Sequence, residues 1–258
     1  MREALVAGLV ALTNGIPVAD VHFAGSSDAA AAPSGGRVKV LSLNLWHDNP
    51  NHTAVTAYLA SSNVDLMFLT EVTPEWMEIL SDLETFYPHR YHTPDSDLSD
   101  GHRLGVMVLS KHPLIETRPL FDEPSGHAYA QSVRVDSRGN LWTLIGVHLN
   151  TPLFEEATYQ NRQLETLTRI VRVAAGPVVV AGDFNMTPFS PKFRALLSET
   201  GTRRAAGGLN PSWPSWIGPF GISIDNVLTK RGMRARMTVG PHVGSDHRPM
   251  VTDVEWDG

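Results

Sequence analysis

Polar residues close one apolar run after another in this sequence. Asn44 closes Leu43-Asn44-Leu45-Trp46, Glu71 closes Leu66-Met67-Phe68-Leu69-Thr70-Glu71, and His148 and Asn150 close Leu144-Ile145-Gly146-Val147-His148-Leu149-Asn150. Asp183 and Asn185 follow Val178-Val179-Val180-Ala181-Gly182. Asp225 falls within Ile222-Ser223-Ile224-Asp225-Asn226-Val227, and Asp246 and His247 lie in Gly244-Ser245-Asp246-His247-Arg248-Pro249. Taken singly, each has a plain structural account. An Asn or Asp after a strand commonly opens a turn, because its side chain bonds the local backbone. Glu71, just ahead of Val72-Thr73-Pro74, suits the N-terminus of a following helix. A lone His148 serves as a satisfied structural histidine, and Ser245-Asp246-His247 as a polar loop.

The repetition asks for more. Burying so many carboxylates and amides at strand ends leaves polar groups unsatisfied, which is costly; a shared cation and an anionic substrate remove that cost. Oxygen and imidazole donors of this kind suit magnesium, manganese or calcium rather than zinc. The chain has no cysteine, so thiolate nucleophiles, disulfides and Cys-bound zinc are excluded. No His-Glu-x-x-His helix, P-loop or Gly-x-Ser-x-Gly elbow supports a rival mechanism.

Asn44, Leu69-Thr70-Glu71, His148-Leu149-Asn150, Gly182-Asp183-Phe184-Asn185, Ile224-Asp225-Asn226 and Gly244-Ser245-Asp246-His247-Arg248-Pro249 resemble, in order, the motif set of the endonuclease/exonuclease/phosphatase superfamily. The resemblance covers residues 38–254, and the stretch 105–113 is similar to bacterial members. It implies a DNase I-like α/β fold, a four-layer sandwich of two packed mixed β-sheets flanked by helices. It also implies hydrolysis of phosphate esters with Mg2+ or Mn2+. On that resemblance Glu71 is the principal metal ligand, supported by Asn44 and Asp246. Asp183 and Asn185 lie across the scissile phosphate, Asp225 orients His247, and His148 and Asn150 donate hydrogen bonds to the phosphate as charge builds. Either Asp183 or His247 takes the proton from water; His247 is preferred, its usual pKa being nearer neutrality. Asn226 follows Asp225 where relatives carry a histidine or aromatic residue, a difference expected to touch packing more than chemistry.

Elements to position these groups are legible. Residues 38–45, 64–70, 104–110, 130–135, 141–149, 177–181, 222–228, 234–239 and 249–254 have the length and β-branched content of strands. Helices are expected over 53–62, 74–86, 155–175 and 191–199. The third carries Leu164, Leu167, Ile170, Val171 and Ala174 on one face. This order suggests two packed sheets flanked by helices, in one catalytic domain over 37–258.

The 258 residues, 42% hydrophobic and 19% charged, are enough for such a domain. Residues 1–36 differ. An apolar run at 4–12 behind Arg2 precedes an Ala/Ser/Gly/Pro-rich stretch. The run is too short to span a bilayer but fits the core of a signal peptide or the remnant of a membrane anchor, as it also fits a disordered extension. An exported or membrane-associated location is favoured over a cytoplasmic one, and a monomer is expected.

The substrate is less legible. The net charge of -6 gives no global pull toward a nucleic-acid backbone. Local candidates for one are Arg103, Lys111, Arg203, Arg204, Arg231, Arg234 and Arg236, each also readable as solvated surface charge. Trp213-Pro214-Ser215-Trp216-Ile217-Gly218-Pro219-Phe220 just ahead of Asp225 either clasps a lipid, base or sugar or caps the core. A lipid-linked or small-molecule phosphoester is the favoured partner. DNA or RNA is the alternative, and an inactive binding module on the same fold the third.

Overall fold

The computed structural model describes residues 35–97, 103–120, 129–137, 139–154, 156–205 and 207–258. The expected extension therefore lies outside the described residues, except for Gly35 and Gly36, which already hydrogen-bond the backbone of Trp256. Two mixed six-stranded sheets stack face to face. In the first, β1 (Arg37–Asn44), β2 (Leu66–Val72), β3 (His89–Asp97), β4 (Arg103–Ser110), β11 (Met233–Val239) and β12 (Met250–Trp256) run in the order β11-β12-β1-β2-β4-β3. In the second, β5 (Leu114–Pro119), β6 (Tyr129–Ser137), β7 (Asn140–His148), β8 (Val178–Asp183), β9 (Thr202–Arg204) and β10 (Asp225–Lys230) run β5-β6-β7-β8-β10-β9.

Period-two alternation builds the layers. Val38, Val40, Phe68, Leu144, Val179, Ala181 and Val227 point between the sheets. Their neighbours Leu41, Leu43, Met67 and Leu69 point outward under α1 (His52–Ser61) and α2 (Pro74–Ile79). On the far side Ile145, Val147, Val178 and Val180 pack under α3 (Glu156–Val173) and α4 (Pro191–Thr200). Helix, sheet, sheet, helix is the expected four-layer order.

The differences from expectation concern edges and ends. β3, β5 and β9 were not anticipated; each lies at a sheet edge, where strands are part-solvated and lose the apolar signature. The helix expected over 74–86 stops at Ile79 and tightens into a 3-10 turn, Leu80–Leu83. The strand expected from residue 222 begins at Asp225, with Ile222 reduced to an isolated bridge to Trp213.

Candidate active site

Strand register assembles most of the site. In the parallel β1–β2 pair Asn44 lies opposite Thr70, in the parallel β7–β8 pair His148 lies opposite Asp183, and in the antiparallel β8–β10 pair Asp183 lies opposite Asp225. Alternation turns Asn44, His148, Asp183 and Asp225 toward the space between the sheets, continuing the rows of Val40, Leu144, Ala181 and Val227.

Glu71 cannot arrive that way. It follows Thr70 on a strand whose even-numbered residues face inward, so regular pleating would aim it outward. The ladder instead shifts register between Leu69 and Val72, and Glu71 adopts φ +55°. This left-handed bulge swings the carboxylate inward. Thr73, not Glu71, caps α2, accepting from Trp76 N at 3.2 Å.

Glycine makes two close approaches possible. At Gly182, φ +144°, a Cβ would lie 1.9 Å from Val147 O. At Gly146 a Cβ would fall 2.3 Å from Phe68 Cδ1, so its absence lets the ring fill the layer beneath the site.

The polar groups then meet. Asn44 Nδ2 donates to Glu71 Oε1 at 2.8 Å and reaches Asp183 Oδ2 at 3.4 Å. His148 Nε2 stands 3.8 Å from Glu71 Oε1 and 3.9 Å from Asp183 Oδ2. His247 Nδ1 is 2.8 Å from Asp225 Oδ2, its Nε2 3.7 Å from Asp183 Oδ2 and 4.0 Å from Asp246 Oδ1. Asn185, at φ +49°, bonds Asp183 Oδ1 through its backbone N at 2.8 Å and Leu149 O through Nδ2 at 2.8 Å. All nine expected residues lie at one end of the sandwich.

Asn44, expected beside the ion, also positions Glu71: its Oδ1 accepts from Trp46 N at 2.9 Å and its Nδ2 donates to Glu71 Oε1 at 2.8 Å.

Several contributors escaped the sequence reading. His47 Nδ1 lies 2.7 Å from Glu71 Oε2, and its backbone N donates to the same oxygen at 3.0 Å. Nothing in the sequence separates His47 from an ordinary turn residue. Gln160 and Gln163 hold Asn150 from α3; their signal, two glutamines on an apolar helix face, was available. Trp213 Nε1 donates to Asp246 Oδ2 at 3.0 Å. Asn226 is fully buried and accepts from Arg204 Nε at 2.9 Å, which gives the departure at this position its packing role.

The electrostatics are uneven. Burial alone would raise the Glu71 carboxyl, but the His47 bond, the nearby His148 and the Asn44 amide outweigh it and hold it below the usual range. Asp183 is raised by burial and by Asp225, against the pull of His247 and His148. Burial likewise raises Asp246, against the pull of His247. For His247 burial opposes the charge, yet Asp225 and Asp183 prevail and push it up to about 10.

Asp246 Oδ1 is buried without a hydrogen-bond partner, and Asp246 is close enough to Glu71 to feel its charge. An ionised glutamate facing an orphaned carboxylate oxygen fits a hard divalent cation. Asp183, Asp225 and His247 also bring one donor atom each within 4.8 Å of one another. There the direct His247–Asp225 hydrogen bond accounts for the contact without an ion.

The basic candidates and the Trp-rich segment differ in exposure. Lys111, Arg203, Arg204 and Arg234 spend donors on Asn63, Met233, Asn226 and Gly208, and Glu255 and Asp257 respectively. Arg231 and Arg236 are exposed, and the side chain of Arg103 lies outside the described residues. The 3-10 segment Ser215–Phe220 does not cap the core: Trp216 is 63% exposed and Phe220 86%.

Comparison with known proteins follows the geometry. Residues 41–247 match the family model described as Endonuclease/Exonuclease/phosphatase family. No curated protein sequence matches the chain. Among solved structures, an endonuclease/exonuclease/phosphatase from Beutenbergia cavernae superimposes with TM-score 0.68 at 20% identity, covering 86% of this chain and 72% of its own. One from Bacteroides vulgatus gives 0.69 at 16%, covering 85% and 99%. D. rerio TDP2, solved with a single-strand DNA product, gives 0.67 at 17%, covering 85% and 99%. The matched stretch contains every site residue named above, and the chain belongs to the endonuclease/exonuclease/phosphatase family, whose members are generally phosphoester hydrolases.

Proposed function

We propose that this protein is a divalent-metal-dependent phosphoester hydrolase acting on lipid-linked or small-molecule phosphoesters. The observation that carries the reading is the meeting of Glu71 and His247, from β2 and the β11–β12 loop of the first sheet, with Asp183 and His148 from the second: His148 stands 3.8 and 3.9 Å from Glu71 and Asp183, and His247 3.7 Å from Asp183.

Glu71 and Asp246 would hold Mg2+ or Mn2+, which when bound offsets the negative charge of the phosphate oxygens. The remaining steps belong to the chain. Asp183, fixed by Asn185 N and raised by burial and Asp225, is a stronger base than an ordinary carboxylate and takes the proton from the attacking water. His247, with Asp225 on Nδ1 and Asp183 facing Nε2, is held as the cation and donates to a phosphoryl oxygen. The preference for His247 as base is thereby reversed, because two flanking carboxylates keep its proton in place. Asn150 and His148 add donors where charge develops.

Support for the substrate class comes from the rim. Residues 205–224 carry no charged side chain, and Trp216, Ile217 and Phe220 project from them. Leu153 and Phe154, 58% and 95% exposed, leave the end of β7 on the same side, since His148, Asp183 and Asp225 are paired neighbours there. Aromatic and aliphatic side chains of this kind partition to an acyl or lipid-headgroup boundary. An exported or membrane-associated location and a monomeric enzyme go with this reading.

The test is a substrate panel with Mg2+ or Mn2+: bis-p-nitrophenyl phosphate, phospholipid vesicles and supercoiled plasmid. Turnover of the first two, with Trp216→Ser/Phe220→Ser losing only the vesicle activity, is expected. Rapid plasmid nicking abolished by His247→Ala would overturn the substrate class, and no turnover of any phosphoester would overturn the activity.

A further inference from the structure

Two glutamines occupy the buried face of α3, Gln160 at 0% and Gln163 at 2% exposure, beside Leu164 and Leu167. Burying a primary amide without partners is costly, so what these two bind explains why they are there. Both bind Asn150. Asn150 N donates to Gln163 Oε1 at 3.0 Å, and Gln163 Nε2 donates back to Asn150 Oδ1 at 2.5 Å. Gln160 Nε2 donates to Asn150 O at 2.7 Å, and Gln160 Oε1 accepts from Lys192 on α4 at 3.1 Å.

The backbone N–H, the backbone carbonyl and the side-chain oxygen of Asn150 are thus all committed to α3. What the side chain has left to offer is its N–H2. A primary amide can turn over at little steric cost and exchange donor for acceptor, because its two ends are nearly the same size. The paired bonds to Gln163 remove that freedom. If the oxygen were replaced by N–H2, donor would face donor at 2.5 Å.

We propose that Gln163 is a positioning residue that fixes the Asn150 amide with its N–H2, and not its oxygen, toward a phosphate oxygen, with Gln160 and Lys192 anchoring the same loop. The inference rests on the phosphoester reading of the site and adds to it how one donor is preset for an anion. Leu149, between His148 and Asn150, ties the loop to the site: its N donates to Asp183 O at 2.9 Å and its O accepts from Asn185 Nδ2 at 2.8 Å.

Gln163→Glu tests this with little change of shape. The introduced carboxylate still accepts from Asn150 N but cannot donate to Oδ1, so the amide turns and presents its oxygen to the substrate. With bis-p-nitrophenyl phosphate and Mg2+, kcat falls about 10- to 100-fold while KM moves less than about threefold. Asn150→Ala falls by a comparable factor, and Asn150→Ala/Gln163→Glu is no slower than Asn150→Ala alone. Wild-type kcat in Gln163→Glu, or a double variant carrying the product of the two losses, overturns the inference.

Gln163→Met, which removes both bonds and keeps an unbranched side chain, is read in the same cycle should the glutamate variant not fold. Its smaller loss must also vanish in the Asn150→Ala background. Calorimetric titration with inorganic phosphate separates the inference from the activity reading. If wild type turns over no phosphoester, a tenfold weaker phosphate affinity in Gln163→Glu still upholds the clamp, and unchanged or absent phosphate binding ends it.

Discussion

Asn44 and Asp183 end strands in different sheets, yet Asn44 Nδ2 reaches Asp183 Oδ2 at 3.4 Å while bonding Glu71 Oε1 at 2.8 Å. One amide therefore spans the seam of the sandwich at the site. Separation of the sheets there would part Asp183, a fully buried carboxylate, from Asn44, and Glu71 from the nearby His148. The active site is in this sense also a clamp between the two sheets, and its charges bear on stability as well as on catalysis.

Asp183→Asn separates those two effects. The Asp183 carboxyl is raised by burial and by Asp225 even after the opposing histidines are counted, so its ionised form weakens the fold at neutral pH. The neutral amide removes that cost while filling the same space. The expected outcome is a melting temperature at or above wild type with kcat lowered by at least about 1000-fold. Calorimetry beside turnover of bis-p-nitrophenyl phosphate checks it; a variant that melts well below wild type would show that the carboxylate stabilises the fold.

Metal removal gives the second prediction. Asp246 Oδ1 is buried without a partner, and Glu71 is held ionised. EDTA should abolish turnover, and Mg2+ should stabilise the chelated protein, by about 2.7 kcal/mol at a hundredfold excess over Kd, read as a rising melting temperature. Asp246→Ala should weaken that stabilisation without unfolding the protein. Turnover unaffected by chelator would remove the ion from the mechanism.

How far these features were legible depends on where they sit. Central strands such as β8, buried on both faces, write continuous apolar runs, and their closing residues, Asp183 and His148, were readable as candidates. Edge strands were not: β5 carries Glu116, Thr117 and Arg118 on a solvated margin. Glu71 was identifiable as a strand-end carboxylate, but its inward aim depends on a bulge that no pattern of residues announces. His47 gave no signal, because a single histidine in a turn acquires meaning only when the carboxylate of Glu71 is folded against it. The Asn44 amide is similar: composition offers both an oxygen and an N–H2, and the backbone N–H of Trp46 decides which of them turns to Glu71.

A pH prediction follows from His247, whose folded value of about 10 lies above the ordinary histidine value of 6.5. The folded state binds this proton more tightly than the unfolded chain does. The stability it contributes is fully present below about pH 6.5 and is lost as pH rises through about 10. In EDTA the melting temperature should therefore fall between pH 7 and pH 10, and Asp225→Asn, which removes the 2.8 Å partner of Nδ1, should flatten that decline. Equal slopes in the two proteins would show that Asp225 does not hold the proton on His247.

Gly182 provides the last prediction. Its φ of +144° and the 1.9 Å that would separate a new Cβ from Val147 O leave no room for a side chain, and the obstacle is the backbone of the adjacent strand β7. Gly182→Ala must push β8 away from β7 just where His148 and Asp183 are paired. A loss of about 3 kcal/mol or more is expected, against a much smaller one for Gly139→Ala, where nothing lies within 4 Å of the added carbon although φ is also positive, at +77°. Denaturant unfolding of the two variants checks this. If Gly182→Ala were as stable as Gly139→Ala, the close approach of β8 to β7 beneath the site would not exist as described.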